Sequence, residues 1–277
     1  MSDPRLTPFS GRVALDVLRP VMDAPQFTSG TPMRVGAAVA DLLRHPDGPR
    51  DRQVLRGAAL TLIDQRDGYS FVQLQADGYC GWLRDTAMAA DHAVTHRVCV
   101  RATHLYSRPD LKSPELGWLS LNTQLLVTEG EGQFLRAQCG GWVPVQHVVL
   151  VDRPAPDPVA VAEMLLGTPY LWGGNSSHGI DCSGLVQLAL QACNMRCPAD
   201  SDLQAQAFGP ALPAGTAPRR GDLLFWRGHV AFIRDADTIL HANAHTMSVA
   251  LEGLRAAMTR IAAEAAFIAH IRPTPAG

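Results

Sequence analysis

GTPYLWGGNSSHGIDCSGL, residues 167–185, joins a glycine-rich, loop-forming approach to a cysteine and then to the apolar period of a helix. Asp181-Cys182-Ser183-Gly184 stands at the junction. A cysteine placed where a loop turns into a helix sits at the positive end of the macrodipole, beside free backbone N–H groups. That setting lowers a thiol pKa toward thiolate, the form that attacks carbonyls. Cys182 is therefore the candidate nucleophile, and Leu185, Val186, Leu188, Ala189 and Ala192 supply the helical stripe behind it.

Upstream of this stretch, Asp157-Pro158 reads as N-cap and first residue of a helix with Val161, Met164 and Leu165 on one face and Gly167 as its stop. Downstream, beyond a loop rich in Pro, Gly and Ala (residues 210–221), the pattern switches to strands: 222–226, 229–233 and 238–242, with Arg234-Asp235-Ala236-Asp237 turning between the last two. Residues 251–269 contain a helix-like, alanine-rich segment followed by an apolar tail. Helices followed by an antiparallel meander read as α+β.

A cysteine nucleophile requires a base. His229 opens one predicted strand and His241 lies near the end of the next. A hairpin centred on Asp235 sets the two directly opposite each other, where Cβ atoms are about 4.5–5.5 Å apart. His229 then takes the thiol proton and later protonates the leaving amine, while His241 holds the tautomer of His229. A neutral histidine in that place stabilises imidazolium less than an aspartate does. The oxyanion is met by the Cys182 backbone N–H, with Tyr170 a candidate side-chain donor. Cys182, His229 and His241 are also zinc-type ligands, but a fourth ligand and a hydrolytic carboxylate are missing from the pattern. The Cys193/Cys197 spacing has no second Cys or His pair nearby. No metal and no cofactor is expected.

The N-terminal half is all short β segments. Residues 1–30 read as an extension with a short helix around 13–18, packing on the first domain. Within 31–92, apolar runs at 60–63, 71–74 and 79–83 are separated by the turns Asp67-Gly68 and Asp77-Gly78. Residues 93–152 are a degenerate second copy: Leu42-Leu43-Arg44-His45-Pro46-Asp47 returns as Leu105-Tyr106-Ser107-Arg108-Pro109-Asp110, and Gly81-Trp82 as Gly141-Trp142. A repeat of about sixty residues built from short strands indicates two tandem small barrels. Both units resemble bacterial SH3-like domains, in which a Gly-Trp pair near the last strand is common and which bind or orient cell-wall peptides. Asp152–Pro158, with Pro154, Pro156 and Pro158, is the linker to residues 153–277.

Composition bounds the rest. The 277 residues are 47% hydrophobic and 18% charged with a formal net charge of −2. Without a Lys/Arg block there is no footprint for nucleic acid or an anionic membrane. The start, MSDPRLTPFSGR, is acidic and proline-bearing where a signal peptide needs a basic start and apolar core, and no apolar run approaches a membrane span. The expected setting is cytoplasmic, with the six cysteines reduced.

Taken in order, Pro169-Tyr170-Leu171-Trp172-Gly173-Gly174, Asp181-Cys182-Ser183-Gly184-Leu185, Gly221-Asp222-Leu-Leu-Phe, Gly228-His229-Val230-Ala231 and Leu240-His241-Ala242 resemble the NlpC-type cell-wall peptidase family across about 158–271. The resemblance implies a papain-like α+β domain, here behind two small all-β SH3-like barrels, and cleavage of peptidoglycan peptides. With the barrels in front, the chain is similar to recycling enzymes of the dipeptidyl-peptidase VI type. These hydrolyse the γ-D-glutamyl–diaminopimelate bond of muropeptides that begin with a free L-Ala.

Residue by residue, the resemblance makes Cys182 the nucleophile, His229 the base and His241 the third polar residue. It places Tyr170, Trp172, Asp181 and Ser183 in the substrate pocket, with Asp181 pairing with the peptide's ammonium. It puts Tyr79 in the turn by which the first barrel closes that pocket. Asp51, in Pro49-Arg50-Asp51-Arg52, is an approximate match to an acidic residue near the substrate amine, and Gly228 stands where some relatives carry a polar residue. Three other readings are a non-catalytic wall-peptide binder, an exported or phage-type lysin of intact wall, and an acyl transferase using the same thiol.

Overall fold

The structure, a computed structural model, describes residues 3–273. Residues 1–2 of the expected N-terminal extension and 274–277 of the expected C-terminal domain lie outside the described residues. The chain divides into two compact units between Val151 and Asp152, at the head of the proline-spaced stretch.

The first unit is built from short, mostly antiparallel strands. Seven of them form one curled sheet in the order Arg50–Leu55, Val39–Leu43, Cys80–Arg84, Tyr69–Leu74, Ala59–Arg66, Thr31–Val35, Met88–Ala90. The Asp67-Gly68 turn adopts positive φ at both residues, 53° and 80°, as a two-residue hairpin loop requires. Ile63, Tyr69, Phe71, Cys80 and Trp82 close a core beneath this sheet together with Val13 of the N-terminal extension. That extension does pack on the first sheet, and Ser10 and Arg12 both bond the buried Asp64 carboxylate. The helix expected around 13–18 is instead a strand, Val13–Leu15, parallel to Gln26–Thr28, and then a single 3₁₀ turn at Asp16–Leu18. Pairing with the nearby 26–28 segment satisfies the backbone of Val13–Leu15 without a helix.

The repeat is visible in the backbone, but the second barrel is not. Tyr106 pairs with Trp142 as Leu43 pairs with Trp82, and a register shift falls at Leu105/Tyr106 as at Leu42/Leu43. Both glycines of the Gly-Trp pairs let strands approach closely: a Cβ on Gly81 lies 2.7 Å from Leu42 Cγ, and one on Gly141 lies 3.1 Å from Leu105 Cβ. Residues 93–151 nevertheless form two separate sheets, one of five strands and one of three, rather than a second closed barrel. The strands Gln124–Leu125, His96–Val98 and Val148–Leu150 pair among themselves, and Val98, Leu105, Leu119, Leu125, Ala137, Val143 and Val148 fill the space between the sheets.

The second unit has the α+β order read from the sequence. Helices α1 (Pro158–Glu163), α2 (Cys182–Ala192) and α3 (Ser201–Ala207) precede strands β1 (Leu223–Trp226), β2 (His229–Ile233), β3 (Thr238–Asn243) and β4 (Ser248–Gly253). Helix α4 (Leu254–Ala262) and strand β5 (Phe267–Ile271) complete it. The antiparallel sheet runs β4-β3-β2-β1-β5. The Asp157 side chain accepts from Val159 N–H with Pro158 in the first turn. The α1 helix stops at Glu163, ahead of Gly167, whose N–H donates to Val249 O and whose φ is +77°. Helix α2 is buried over nearly its whole length. On the sheet, Leu224, Trp226, Ala231, Ile233 and Ile239 form one core with Ala257 and Ile261 of α4. The apolar tail is edge strand β5, paired with β1. No helix among the described residues is long and apolar enough to cross a membrane.

Candidate active site

Asp181 explains why a helix begins at Cys182. Its Oδ1 accepts from Gly184 N–H at 2.7 Å and from Ser183 Oγ at 3.0 Å, an N-cap that satisfies donors the first turn leaves open. Its Oδ2 accepts from Gly173 N–H at 2.9 Å, which ties the approach loop to the helix start. The Asp181 N–H returns a bond to Gly174 O, and Leu171 N–H and Ile180 O are joined in the same loop. Gly184 is required by this closeness: a Cβ there meets Gly174 O at 2.5 Å. On the other flank, Tyr170 N–H donates to Met247 O, so the loop is fixed to the start of β4. Burial pushes the Asp181 carboxyl above its ordinary range, against the pull of those hydrogen bonds.

Cys182 is 7% exposed at the head of α2, with Val230 N–H of β2 and its own and Ser183's N–H groups directed to favour a thiolate. Burial and the Asp181 charge outweigh those groups and push the thiol up to about 12. The lowered thiol pKa expected from the helix terminus is thus reversed, because desolvation of the buried sulfur exceeds what three N–H dipoles return. Burial likewise lowers His229 to about 3, with the neighbouring His241 adding to the fall. Both shifts favour the neutral form, of the thiol and of the imidazole alike.

The two histidines do meet. His229 Nε2 lies 2.9 Å from His241 Nδ1, and the ring planes are inclined at 64°. Their register differs from the expected one. Phe232 pairs with Leu240 and Ile233 with Ile239, so the hairpin is centred on Ala236 and His229 falls in line with Asn243 rather than His241. The rings are diagonal neighbours on one face, still within reach of each other. The two-residue turn before His229 uses Gly228 at φ +74°, a conformation that favours glycine over a polar side chain.

The remaining sequence-predicted residues divide by position. Tyr170 is half-buried, and burial followed by the charges of Cys182 and Asp181 raises its phenol above the ordinary value, which places it beside the thiol. Ser183 is buried and committed to Asp181. Trp172 is 70% exposed on the approach loop. Tyr79 and Asp51 belong to the first unit. Tyr79 is 2% exposed beneath the Arg52 guanidinium, which lies 5.4 Å from its ring centre, and Arg52 is paired with Asp77. Asp51 accepts from Arg44 at 2.6 Å. Among the described residues, no group of three or more His, Cys, Asp and Glu side chains is arranged to hold a metal ion.

Several residues near the site carry no signal in the sequence. Trp226, paired with His229 across the β1–β2 turn, packs its ring 5.7 Å from the imidazole. Gln204 of α3 donates to Ser183 O at 2.9 Å and supports the first turn of α2. The buried Asn243 holds Thr246 through its Oδ1, and its Nδ2 has no partner among the described residues. Glu252 of β4 lies 3.2 Å from His241 Nε2. Strand β4 has no distinctive alternation, and without β4 the sequence offers no reason to bring Glu252 to a histidine eleven positions away.

Residues 167–262 match the NlpC/P60 family, and residues 42–88 match the bacterial dipeptidyl-peptidase SH3 domain. The second unit is thus similar to NlpC/P60 family proteins, and the first to a bacterial SH3 domain, over those residues. Among similar proteins, a gamma-D-glutamyl-L-lysine dipeptidyl-peptidase of Bacillus cereus is 27% identical over 64% of this chain and 60% of its own length. A protein of the same name from Bacillus subtilis is 31% identical over 54% of this chain and 52% of its own. The chain therefore spans less than two thirds of either relative. An NlpC/P60 family protein from Bacillus cereus has the same fold, with a TM-score of 0.74 over 88% of this chain and all of that one, at 21% identity. Both the Cys182 helix and the His229 strand fall inside the stretch that matches the NlpC/P60 family.

Proposed function

We propose that the chain is a cysteine endopeptidase that hydrolyses the γ-D-glutamyl–diamino acid bond of peptidoglycan-derived peptides with a free N-terminal L-Ala, diaminopimelate being the diamino acid expected. The observation that carries the reading is the His229–His241 contact at 2.9 Å on β2 and β3, with Cys182 at the capped start of α2 beneath Val230 N–H. The similarity to dipeptidyl-peptidases named for γ-D-glutamyl-L-lysine supports a peptide of this class.

In this reading His229 Nε2 is occupied by His241, so Nδ1 takes the thiol proton as Sγ attacks the γ-carbonyl of D-Glu. Because the thiol is high and the imidazole low, transfer accompanies attack instead of preceding it. The tetrahedral oxyanion is met by the Cys182 N–H, with the raised phenol of Tyr170 remaining a neutral donor. Collapse breaks the C–N bond, the amine leaves with the proton from His229, and water hydrolyses the thioester by the same route in reverse. Asp181 Oδ2 accepts from Gly173 N–H and has further lone-pair capacity for a substrate ammonium.

The test is mass spectrometry of products from defined muropeptides with free and acetylated N-termini. Cleavage only of the free form supports the proposal, and indifference to acetylation contradicts the amine-reading pocket. Binding without turnover favours the non-catalytic binder, and release of fragments from whole sacculi favours a lysin.

A further inference from the structure

The contact between His229 and His241 admits two arrangements of one proton. In the first, His229 Nε2–H donates to His241 Nδ1, which leaves His229 Nδ1 bare and able to receive the thiol proton. In the second, His241 Nδ1–H donates to His229 Nε2. The single proton of neutral His229 then sits on Nδ1, and the site has no base. Nothing in the pair itself prefers the first.

We propose that Glu252, held by Arg260, selects the productive arrangement and is a positioning residue for both active-site histidines, an inference that rests on the cysteine-peptidase reading. In the productive arrangement His241 carries its proton on Nε2. The nearest acceptor is Glu252 Oε2 at 3.2 Å, off the straight line of the ring N–H, and His241 Nε2 has no other polar partner among the described residues. In the unproductive arrangement a nitrogen lone pair faces a carboxylate oxygen at that distance, which is repulsive.

The carboxylate is fixed in its charged, acceptor-only form. Arg260 Nε donates to Glu252 Oε1 at 3.0 Å and Nη2 to Oε2 at 2.6 Å, a two-point clamp that holds the Glu252 carboxyl below its ordinary range. The fold supplies the placement. In the β3–β4 ladder His241 pairs with Ala250 and Ile239 with Glu252, so Glu252 is diagonal to His241, and α4 follows β4 at once and returns Arg260 to it. His241 is 1% exposed, so no bulk water competes for its Nε2. The same carboxylate faces the imidazolium that forms on His229 through His241. It compensates for the neutral third residue noted in the sequence.

Two readouts on the full chain test this. Two-bond ¹⁵N–¹H spectra of histidine-labelled protein at pH 7, assigned with His241→Asn and His229→Asn, show which nitrogen of each neutral ring bears the proton, without substrate. Wild type is expected to show Nε2–H on both rings. In Glu252→Gln, whose carbonyl is drawn to Arg260 and whose amide then faces His241, both rings are expected to move toward Nδ1–H. With a muropeptide substrate, Glu252→Gln is expected to lose about 10–100-fold in kcat with KM within about twofold, the scale on which removing a partner that fixes a functional histidine acts. Nδ1–H on His241 in wild type overturns the proposal, and that spectrum needs no variant to fold. An unchanged kcat in Glu252→Gln also overturns it, as does a fall in kcat accompanied by unmoved tautomers. A chain that cleaves no muropeptide refutes the peptidase reading instead, and the wild-type and Glu252→Gln spectra then decide the tautomer assignment alone.

Discussion

Replacing Gly184 with alanine adds one methyl group where the cysteine helix meets its approach loop. In an ordinary helical turn the change gains about 0.5–1 kcal/mol, because alanine surrenders less backbone freedom than glycine. Here the new carbon lands 2.5 Å from Gly174 O, 3.1 Å from Asp181 Oδ1 and 3.3 Å from Asn175 Oδ1. The first of these is backbone, so the loop itself has to move, and Gly174 O is the acceptor for Asp181 N–H. Overpacking of this kind costs typically about 1–3 kcal/mol. Set against the helical gain, a net loss of up to about 2.5 kcal/mol remains, each kcal/mol being worth roughly 2–8 °C in melting temperature for domains of about 60–250 residues. Displacement of the helix start by about 1 Å relative to His229 costs about 100-fold in turnover. Thermal melts by circular dichroism and kcat on a defined muropeptide measure the two effects together. A Gly184→Ala protein that melts at or above the wild-type temperature with unchanged kcat refutes the close-approach reasoning.

Other predictions follow from the same structure. Asp222 is buried, and although burial alone raises its carboxyl, bonds from Arg272 and His270 hold it below the ordinary range. A depressed carboxylate contributes stability that is present above its unfolded pKa of about 3.9 and lost as pH falls through the folded value. Asp222→Asn is expected to cost about 2–3 kcal/mol near neutrality, discounted for the partly exposed Arg272, and to flatten stability against pH below about 4 in acid titrations. Unaltered acid sensitivity in Asp222→Asn counts against it. Because the Cys182 thiol is pushed up to about 12, its alkylation by iodoacetamide, followed by peptide mass spectrometry, should rise continuously from about pH 7 to 10. A plateau below about pH 8 indicates a preformed thiolate instead. In the first unit, Gly81→Ala should destabilise more than Gly141→Ala, since its Cβ meets Leu42 Cγ at 2.7 Å and the other meets Leu105 Cβ at 3.1 Å. Equal or reversed losses on chemical denaturation refute that ranking.

What was legible in the sequence is what local chemistry determines. Asp181 before a cysteine and an apolar stripe is an N-cap wherever it is met, and the apolar runs ending at Trp226 and Ile233 could scarcely be anything but buried strands. The repeat was legible because Gly81 and Gly141 perform the same packing task against Leu42 and Leu105. Whether the strands of the repeat close a barrel depends on distant pairings such as His96–Leu150, and no local pattern encodes those. The hairpin register was misplaced by one residue at its centre for a related reason. The Arg234–Asp237 turn is settled by Asp235 Oδ1 accepting from Asp237 N–H and by Arg234 N–H reaching Thr238 O, and a polar tetrapeptide does not announce which of its residues is central. The thiol pKa went the other way because a helix dipole can be read from position, whereas the enclosure of Cys182 exists only once β2 lies over it. Glu252 was hidden by the same limit, being a surface-like glutamate until β4 sets it beside His241.

The most direct test of the cysteine-peptidase reading is mass spectrometry of L-Ala-γ-D-Glu-diaminopimelate incubated with the wild-type chain and with Cys182→Ala. The reading predicts that wild type releases L-Ala-γ-D-Glu and free diaminopimelate, while the alanine variant, folded by circular dichroism, releases neither. Cleavage that persists in Cys182→Ala contradicts it.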